Sequence, residues 1–361
     1  MPSTLPARYF VDPELFRKEF ESFFFDGWIR AGRAEDVASP GSFFLCEVGV
    51  ESVIVLRDQA GNLRAFYNVC RHRGTRLCTA PQGRFEGRLQ CPYHGWTYRL
   101  DGELLGAPHM EPCFAREQYP LLPVAVDTWD GHVFLHLGDS REPLARQLDE
   151  LPVKFAAWRM QELRLYRRVM YQVKANWKLL IANYNECLHC PQLHPALNRL
   201  TDYLGAENGP ATETYMGGAM GFRGAAETMS LDGKRRRSYL PGLNERQQRQ
   251  VCYYVIYPNF LLSLHPDYMM VHTLWPKAVD QTDIVCEWYF HPEEMSKPGF
   301  MAEDAIAFWD QTNREDWAIV EQSQAGVQSR AYVPGPYSSR EELLAAFDQV
   351  VLNRERRSQC F

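Results

Sequence analysis

The segment from Glu186 to His194, ECLHCPQLH, is rich in side chains that bind metal ions. Glu186 and His189 lie three residues apart, so they share one face if the segment is helical. His194 would point elsewhere on a continuous helix, but Pro191 lacks an N–H for the helical ladder and disfavours helical geometry at Cys190. We therefore expect the helix to end at Pro191, so that both histidines turn towards one metal ion with Glu186 beside them.

The residue types in this segment fit three kinds of site. A zinc site would use Cys187 and Cys190 together with the histidines. An iron site would use the two histidines and a carboxylate from elsewhere in the chain, and it would keep coordination positions open for O₂. A helix end with buried cysteines and structural histidines would hold no metal. The segment by itself leaves all three interpretations open.

A second group of metal-binding residues lies upstream, in the motifs CRHRG and CPYHGW. They contain a Cys70-x-His72 pair and a Cys91-x-x-His94 pair, each on a turn rich in glycine or proline. Two thiolates on one iron and two imidazoles on the other form a Rieske 2Fe–2S centre. Zinc fingers pair cysteine with cysteine and histidine with histidine, whereas both pairs here are mixed. The pattern predicts a 2Fe–2S cluster, and a cluster needs an electron acceptor, which favours iron at the Glu186–His194 segment.

The elements that position these motifs differ along the chain. Residues 12–28 predict a helix with Asp12 as N-cap and Pro13 in the first turn. Short apolar runs with tight turns predict β-structure from about residue 40 to 140. Beyond it, strand-like segments alternate with a helical pattern at 176–190 and a long helix ending at Gly326. We predict an α+β protein: a helical segment at 1–39 that packs on the larger domain, a β-domain at 40–140 and that larger domain at 141–361.

Composition is that of an ordinary globular protein and argues against several functions. The 361 residues are 45% apolar and 23% charged, with a formal net charge of −6. This charge argues against a dedicated nucleic-acid binder, and no apolar run reaches the roughly 20 residues of a membrane-spanning helix. The N-terminus lacks a signal-peptide pattern, so we expect a cytoplasmic protein with reduced cysteines. The basic run Lys234–Arg237 is expected to be a solvated loop, with a docking patch for an acidic partner as the alternative.

The quoted motifs resemble those of Rieske non-heme iron oxygenase alpha subunits. CRHRG and CPYHGW are similar to the Rieske domain of these enzymes, and NWKLLIANYNECLHCPQLHP at 176–195 is similar to their mononuclear-iron motif. The resemblance extends over nearly the whole chain, to SRAYVPGPYS at 329–338. It implies an all-β Rieske domain and a catalytic domain of the helix-grip type, an antiparallel sheet with helices. Rieske proteins of the cytochrome bc complexes bridge their cluster loops by a disulfide, but the corresponding positions here are Thr75 and Tyr93.

The resemblance implies a role for each motif residue. The cluster ligands would be Cys70, His72, Cys91 and His94. His189 and His194 would bind a mononuclear Fe(II). The third ligand in the family is an aspartate on a late helix, in a context like NREDW, which points to Asp316. Helical periodicity does not decide between Asp316 and Asp310, so Asp310 is kept as the alternative.

Glu186 occupies the position where the family usually has an aspartate that links the iron site to a cluster histidine of the neighbouring subunit. Glutamate is shared with the oxygenases acting on carnitine and related quaternary amines. The resemblance thus implies that Glu186 is the inter-subunit electron bridge of a homotrimer. It also implies O₂ as co-substrate and electrons from NAD(P)H through a separate flavin- or ferredoxin-type reductase. The chain has no G-x-G-x-x-G motif after a predicted strand, which agrees with a separate reductase.

The branch that the motifs resemble most acts on glycine betaine, stachydrine and carnitine, which implies N-demethylation of a methylammonium compound. Aromatic faces hold such groups by cation–π attraction. The candidate aromatic residues are Tyr253, Tyr257, Phe260, Tyr268, Trp309 and Trp317. An aromatic stripe is equally typical of a protein core, and the sequence selects no arginine or lysine for a substrate carboxylate. Two other functions stay open: hydroxylation of an aromatic or other apolar substrate, and electron transfer by a Rieske carrier that is not an enzyme.

Overall fold

The computed structural model describes residues 1–139 and 142–358, and the chain forms two compact units. The small unit spans Phe24–Leu144, and the large unit combines Met1–Phe23 with Ala145–Phe361. The predicted helical segment 1–39 is therefore divided at Phe23. The reason is that residues 29–33 pair with the strand at 132–136, which places the second part of the segment in the β-structure of the small unit.

The small unit consists of short antiparallel strands. They are β1 (Ile29–Arg33), β2 (Ser42–Val48), β3 (Glu51–Arg57), β4 (Leu63–Tyr67), β5 (Gln82–Arg84), β6 (Arg88–Gln90), β7 (Thr97–Arg99), β8 (Leu104–Gly106), β9 (Ala125–Trp129) and β10 (His132–His136). They form three sheets with the orders β1-β10-β9, β4-β3-β2-β5 and β6-β7-β8. The central residues of β3, SVIVL, are all buried, as expected for an apolar strand between two neighbours. Cys70 and Cys91 belong to the same buried core.

The large unit is built on one antiparallel sheet of seven strands. In chain order these are β11 (Arg164–Val173), β12 (Glu207–Asn208), β13 (Tyr215–Gly221), β14 (Gln250–Ile256), β15 (Phe260–Leu264), β16 (Met269–Ala278) and β17 (Gln281–Phe290). Their order in the sheet is β11-β17-β16-β15-β14-β13-β12. Every residue of β15 is buried, which is the environment that its sequence FLLSL predicts. The α+β prediction, with an antiparallel sheet and helices in the larger domain, is confirmed.

Ten α-helices accompany these strands in the described residues. They are α1 (Arg8–Val11), α2 (Pro13–Glu19), α3 (Leu144–Leu148), α4 (Leu151–Phe155), α5 (Trp177–Tyr184), α6 (Cys190–Leu193), α7 (Pro195–Leu200), α8 (Pro292–Met295), α9 (Glu303–Val327) and α10 (Glu342–Ser358). Asp12 caps α2 as predicted, since its side chain accepts from the N–H groups of Glu14 and Leu15. The long helix α9 ends one residue after Gly326, and it contacts both β11 and α5. None of these helices is both long and apolar enough to cross a membrane.

The helix that enters the metal-binding motif ends earlier than predicted. It stops at Tyr184, so the expectation that it continues to Pro191 was wrong. Pro191 instead lies in the first turn of α6, a position where the missing N–H has no helical partner to lose. His189 precedes α6 and His194 follows it with a φ of −122°. The two histidines therefore flank a short helix rather than share a long one.

The basic run Lys234–Arg237 is only in part a solvated loop. Arg237 is buried, with 2% of its surface exposed. Its guanidinium pairs with Asp304 (2.6 Å) and Asp267 (2.9 Å). The two buried aspartates require a counter-charge, and this requirement explains why the last arginine of the run turns inward.

The ionisation of Asp348, a buried residue of α10, affects the stability of the large unit. Its carboxylate accepts a hydrogen bond from Tyr337 (2.8 Å), but burial outweighs that bond and raises its pKa to about 7. Between about pH 4 and pH 7 the folded protein thus keeps a proton that the unfolded chain has lost, so the free energy of unfolding falls as the pH rises through this window. Asp348→Asn removes the ionisation. We expect the free energy of unfolding of the variant, measured in urea at about pH 5 and about pH 7.5, to fall less than that of the wild type. An equal fall in both proteins would contradict this account of Asp348.

Candidate metal centres

The two cysteine–histidine motifs form loops with the same backbone hydrogen bonds. In each loop the cysteine N–H donates to the carbonyl five residues later, at 2.9 Å for Cys70 and 2.8 Å for Cys91. Gly74 and Gly95 donate back to these two cysteine carbonyls at 3.0 and 3.1 Å. Their φ angles are 76° and 71°, in the left-handed region that glycine enters without steric cost. The loops therefore present their ligands as a matched pair.

The side chains on these loops fit a Rieske 2Fe–2S cluster. Cys70 and Cys91 are buried and free of disulfide bonds. The rings of His72 and His94 meet edge to face, with centroids 4.6 Å apart. The Tyr98 hydroxyl lies 3.4 Å from Cys70 Sγ. Hydrogen bonds to the sulfur atoms of a cluster are one of the means by which proteins set its reduction potential. Two buried thiols and two adjacent imidazoles are the donor set that this cluster requires.

His189, His194 and Asp316 form the second centre. One ligand atom of each lies within 4.8 Å of the others. His194 Nε2 lies 2.9 Å and His189 Nε2 lies 3.4 Å from the same oxygen, Asp316 Oδ1. Two imidazoles and one carboxylate are the donors of the 2-His-1-carboxylate iron sites, which leave other coordination positions open. The three residues present therefore fit a mononuclear iron.

Packing between helices brings these residues together. Asp316 lies in the middle of α9, and α5 packs against that helix just before the loop that carries His189. Asn183, near the end of α5, donates from Nδ2 to Asp316 Oδ1 (3.0 Å). Of the two aspartates considered, Asp310 lies elsewhere on α9, where it accepts from the Tyr171 hydroxyl at 2.6 Å. The structure thus groups Asp316, and not Asp310, with the histidines.

Two further carboxylates orient the histidine rings. Glu186 Oε1 lies 2.5 Å from His189 Nδ1, and Glu315 Oε2 lies 2.7 Å from His194 Nδ1. A histidine whose Nδ1–H donates to a carboxylate presents its Nε2 lone pair to a metal. Sequence reasoning missed Glu315. The only indication in the sequence is that Glu315 precedes Asp316 in NREDW. Consecutive residues on a helix point about 100° apart, so the sequence gives no reason to expect both carboxylates at the ring of His194.

The charges in this cluster support one another. Burial disfavours protonation of His189, but the neighbouring carboxylates outweigh it and raise its pKa to about 9. Burial would also raise the pKa of Asp316, and the two histidines overcome that effect and hold the pKa below its usual range. His194 is almost fully buried, with 1% of its side chain exposed. A site that stabilises positive charge among buried carboxylates is suited to a divalent cation.

Cys187 and Cys190 form a disulfide that spans His189. The expectation that the cysteines are reduced was therefore wrong for this pair. Cys190 N–H donates to Cys187 O (3.1 Å), and this turn brings the two Cα atoms to 5.0 Å, a separation that a disulfide requires. Sulfur atoms joined in a disulfide are not thiolate ligands, so the zinc interpretation does not fit this structure. The bridge restricts the backbone on both sides of His189.

A cavity of about 380 Å³ opens beside the triad of His189, His194 and Asp316. At its inner end lie side chains with little exposure, among them His194 and Trp309. At its outer end lie exposed residues, among them Glu207, Asn208 and Arg340. The triad is therefore reached from solvent through a cavity whose buried part includes the ring of Trp309 and whose exposed part carries charged side chains.

The cavity separates the aromatic candidates into two groups. Tyr253 and Trp309 line it. The others lie outside its lining, buried elsewhere in the large unit: Tyr257, Phe260, Tyr268 and Trp317. Tyr257 falls in the turn between β14 and β15, and Phe260 begins β15, where the direction of a side chain is set by sheet register rather than by residue type. Tyr184, at the end of α5, also lines the cavity and was missed because its helical spacing resembles that of a core residue.

Two family models match separate parts of the chain. The model described as the ring hydroxylating alpha subunit, catalytic domain, matches residues 160–355. The model described as the Rieske 2Fe–2S domain matches residues 27–128. The first match contains the His189, His194 and Asp316 cluster, and the second contains both cysteine–histidine loops.

Similar proteins match the chain over nearly its full length. The glycine betaine monooxygenase oxygenase subunit of Chromohalobacter salexigens is 30% identical, over 94% of this chain and 82% of the relative. The carnitine monooxygenase oxygenase subunit of Escherichia coli is 28% identical, over 91% of this chain and 85% of the relative. The crystal structure of the quaternary ammonium Rieske monooxygenase CntA with L-carnitine has the same fold, with a TM-score of 0.81 at 24% identity, over 98% of this chain and 95% of that chain.

Substitution of Asp316 tests the second centre. We expect Asp316→Ala to lower the iron content from about three to about two atoms per chain, because the remaining histidines lose the only carboxylate in the ligand set. The Rieske absorption spectrum should be unchanged. Asp310→Asn, on the same helix, is the matched control and should keep all the iron. Retention of full iron by Asp316→Ala, or its loss in Asp310→Asn, would show that the ligand is assigned wrongly.

Proposed function

The chain belongs to the family of Rieske-type ring-hydroxylating oxygenase alpha subunits, and we propose that it is the oxygenase component of an enzyme that N-demethylates a methylammonium compound. Electrons from NAD(P)H reach it through a separate flavin- or ferredoxin-type reductase, and O₂ is the co-substrate. The observation that carries the substrate class is the lining of the cavity beside the triad, where aromatic rings and carboxylates surround the space for the substrate.

The cavity is suited to a cation on two grounds. Tyr184, Tyr253 and Trp309 form a continuous aromatic wall, with centroid separations of 6.0 Å and 6.2 Å between successive rings, and such faces attract methylammonium groups. The second ground is charge. The charged residues of the lining, apart from histidine, are four acids and one base: Glu186, Glu207, Asp316, Glu342 and Arg340. Glu186 and Asp316 already face the two histidines, which leaves Glu207 and Glu342 against Arg340, and an excess of carboxylates raises the local concentration of cations.

The names of the relatives support the same class of substrate. Glycine betaine and carnitine, after which two of them are named, both carry a trimethylammonium group. Hydroxylation of an apolar substrate, the second function considered, is favoured less, because an apolar molecule gains nothing from the carboxylates at Glu207 and Glu342. The electron-carrier interpretation gives no role to the triad or to its cavity.

We propose that the motif residues hold two iron centres. The cluster ligands are Cys70, His72, Cys91 and His94, and the ligands of the mononuclear iron are His189, His194 and Asp316. When bound, these groups supply single electrons and the activation of O₂. The remaining work falls to the chain itself. Glu186 and Glu315 hold the Nδ1 protons of the two histidines, and the aromatic wall orients the substrate and keeps water away from it.

Hydroxylation of an N-methyl carbon accounts for demethylation. One atom of O₂ enters a C–H bond of the methyl group, and the other leaves as water with the two electrons and two protons supplied. The hydroxymethyl ammonium product then breaks its C–N bond, releasing formaldehyde, a proton and the demethylated amine. The chain contributes by packing the ammonium group against Tyr253 and Trp309, so that a methyl group faces the triad.

We propose that Glu186 also links the iron site to a cluster histidine of a neighbouring subunit in a homotrimer. One oxygen contacts His189 Nδ1, and the other accepts the N–H of Leu188 (2.5 Å). These contacts fix the carboxylate while 15% of the side chain stays exposed, which leaves lone pairs for a donor from outside the chain.

A cytoplasmic location, where NAD(P)H is available, follows from the proposed reductase.

Formaldehyde release tests the function. The protein, with a surrogate reductase and NADH, is offered glycine betaine, stachydrine, L-carnitine and choline, with naphthalene and indole as apolar compounds. We expect at least one methylammonium compound to stimulate O₂ uptake and to yield formaldehyde in an amount equal to the O₂ consumed. Uptake stimulated only by the apolar compounds, with hydroxylated products and no formaldehyde, would establish the second function instead.

Substitution of Glu186 tests the bridge. Glu186→Ala should retain both iron centres, because Glu186 is outside the ligand sets, yet coupled turnover should fall by about 10- to 100-fold or more. Glu186→Asp restores the carboxylate on a shorter arm and should recover part of the activity. The measurement is oxidation of the reduced cluster by O₂ in a single turnover with substrate present. Undiminished turnover in Glu186→Ala would remove the bridging role.

A further inference from the structure

Methylammonium substrates fall into two classes, those with a carboxylate, such as glycine betaine and carnitine, and those without one, such as choline. We propose that Arg340 binds the carboxylate of the substrate, and hence that this chain acts on zwitterionic methylammonium carboxylates. The inference rests on the proposed function and specifies the substrate class of the same cavity.

Arg340 is a cationic partner for a substrate carboxylate in the lining of the cavity. Among the described residues that line it, Arg340 alone carries a permanently positive side chain. His189 and His194 also line it, but their ring nitrogens are occupied by Asp316, Glu186 and Glu315. A carboxylate that enters among four acids needs a counter-charge, and this guanidinium is the group that supplies it.

The position of Arg340 is defined while most of its donors are free. It lies two residues before α10, and its Nη1 donates to the carbonyl of Leu204 (3.1 Å). Tyr203, next to Leu204, lines the cavity as well, so this bond holds the guanidinium over the rim. Its other N–H groups have no partner in the part of the chain that the structure describes, and they remain available for a bidentate pair with a carboxylate.

The acids near Arg340 are already partly satisfied. Glu207 pairs with Arg246 (2.5 Å), outside the cavity lining, and Glu342 accepts a hydrogen bond from Asn208 (2.9 Å). Arg340 has no ion pair with either of them among the described residues. The rim therefore combines two acids that have partners with one guanidinium that has no ion-pair partner among the described residues, and this arrangement favours an anionic group of the substrate at Arg340.

The aromatic wall and the guanidinium, which line the same cavity, then offer one binding group for each charge of a zwitterion. Tyr253 and Trp309, at the inner end near the triad, receive the ammonium group. Arg340, at the exposed end, receives the carboxylate and prevents the molecule from entering in the reverse orientation. A carboxylate held at the rim leaves an N-methyl group as the part of the substrate closest to His194 and Asp316.

A pair of substrates that differ only in charge tests this role. Formaldehyde release is measured with glycine betaine, L-carnitine and γ-butyrobetaine and with the methyl ester of each, for the wild type, Arg340→Ala and Arg340→Lys. We expect Arg340→Ala to raise KM for the carboxylates by about 10- to 100-fold, the strength of a hydrogen bond between charged groups. Its kcat, and its KM for the esters, should change by less than about threefold. Arg340→Lys should recover part of the affinity, because it keeps the charge and loses the bidentate geometry.

The control is Arg357→Ala, on the helix α10 that follows Arg340, where an exposed arginine pairs with Glu213 (3.0 Å) away from the cavity. All kinetic constants of this variant should match the wild type. Equal losses for carboxylates and esters in Arg340→Ala would overturn the inference, as would a wild type that prefers the esters or choline. In both cases formaldehyde would still be released, so the proposed function would stand. Absence of formaldehyde from every compound in the wild type would overturn both.

Discussion

The packing of α5 against α9 is the constraint on which the rest of the large unit depends. It places Asp316 beside His189 and His194, although Asp316 and His194 are 122 residues apart in sequence. Burial of three ionisable groups is unfavourable unless their charges compensate, and here each imidazole faces a carboxylate on both of its nitrogen atoms. The seven-stranded sheet supports this contact, since α9 contacts β11 and α5 contacts β16. A shift of α9 would separate the triad and would also displace Trp309 from the cavity.

The two proposed centres are built by different means. In the small unit each pair of ligands lies within one loop, and local hydrogen bonds with a left-handed glycine set the geometry. In the large unit the ligands come from two distant segments, and Glu186 and Glu315 orient the rings. The disulfide across His189 adds a covalent restraint at the point where the chain is otherwise a loop between α5 and α6. A site of this second kind depends on tertiary packing and is correspondingly sensitive to changes in it.

This difference explains what could be predicted from the sequence. The cluster loops could be recognised because all their information is local, and the long helix because its buried residues recur at helical spacing. Periodicity could not choose between Asp310 and Asp316, since each shares a stripe with a tryptophan, and only the packing of α5 separates them. Proline both ends helices and begins them, so Pro191 alone could not show that the helix stops at Tyr184. Arg340 and Glu315 were beyond sequence reasoning, because the lining of a cavity and the partners of a ring are set by elements far apart in the chain.

The central claim is that a methylammonium group binds beside iron held by His189, His194 and Asp316. The most direct measurement is pulsed EPR of the reduced protein with nitric oxide on the mononuclear iron and a substrate whose N-methyl groups are deuterated, such as trimethyl-d9 glycine betaine or carnitine. We predict deuterium modulation of the iron signal in the wild type, and no such signal in Asp316→Ala. A wild type with full iron content and no deuterium modulation from any of these compounds would contradict the assignment of the cavity to methylammonium substrates.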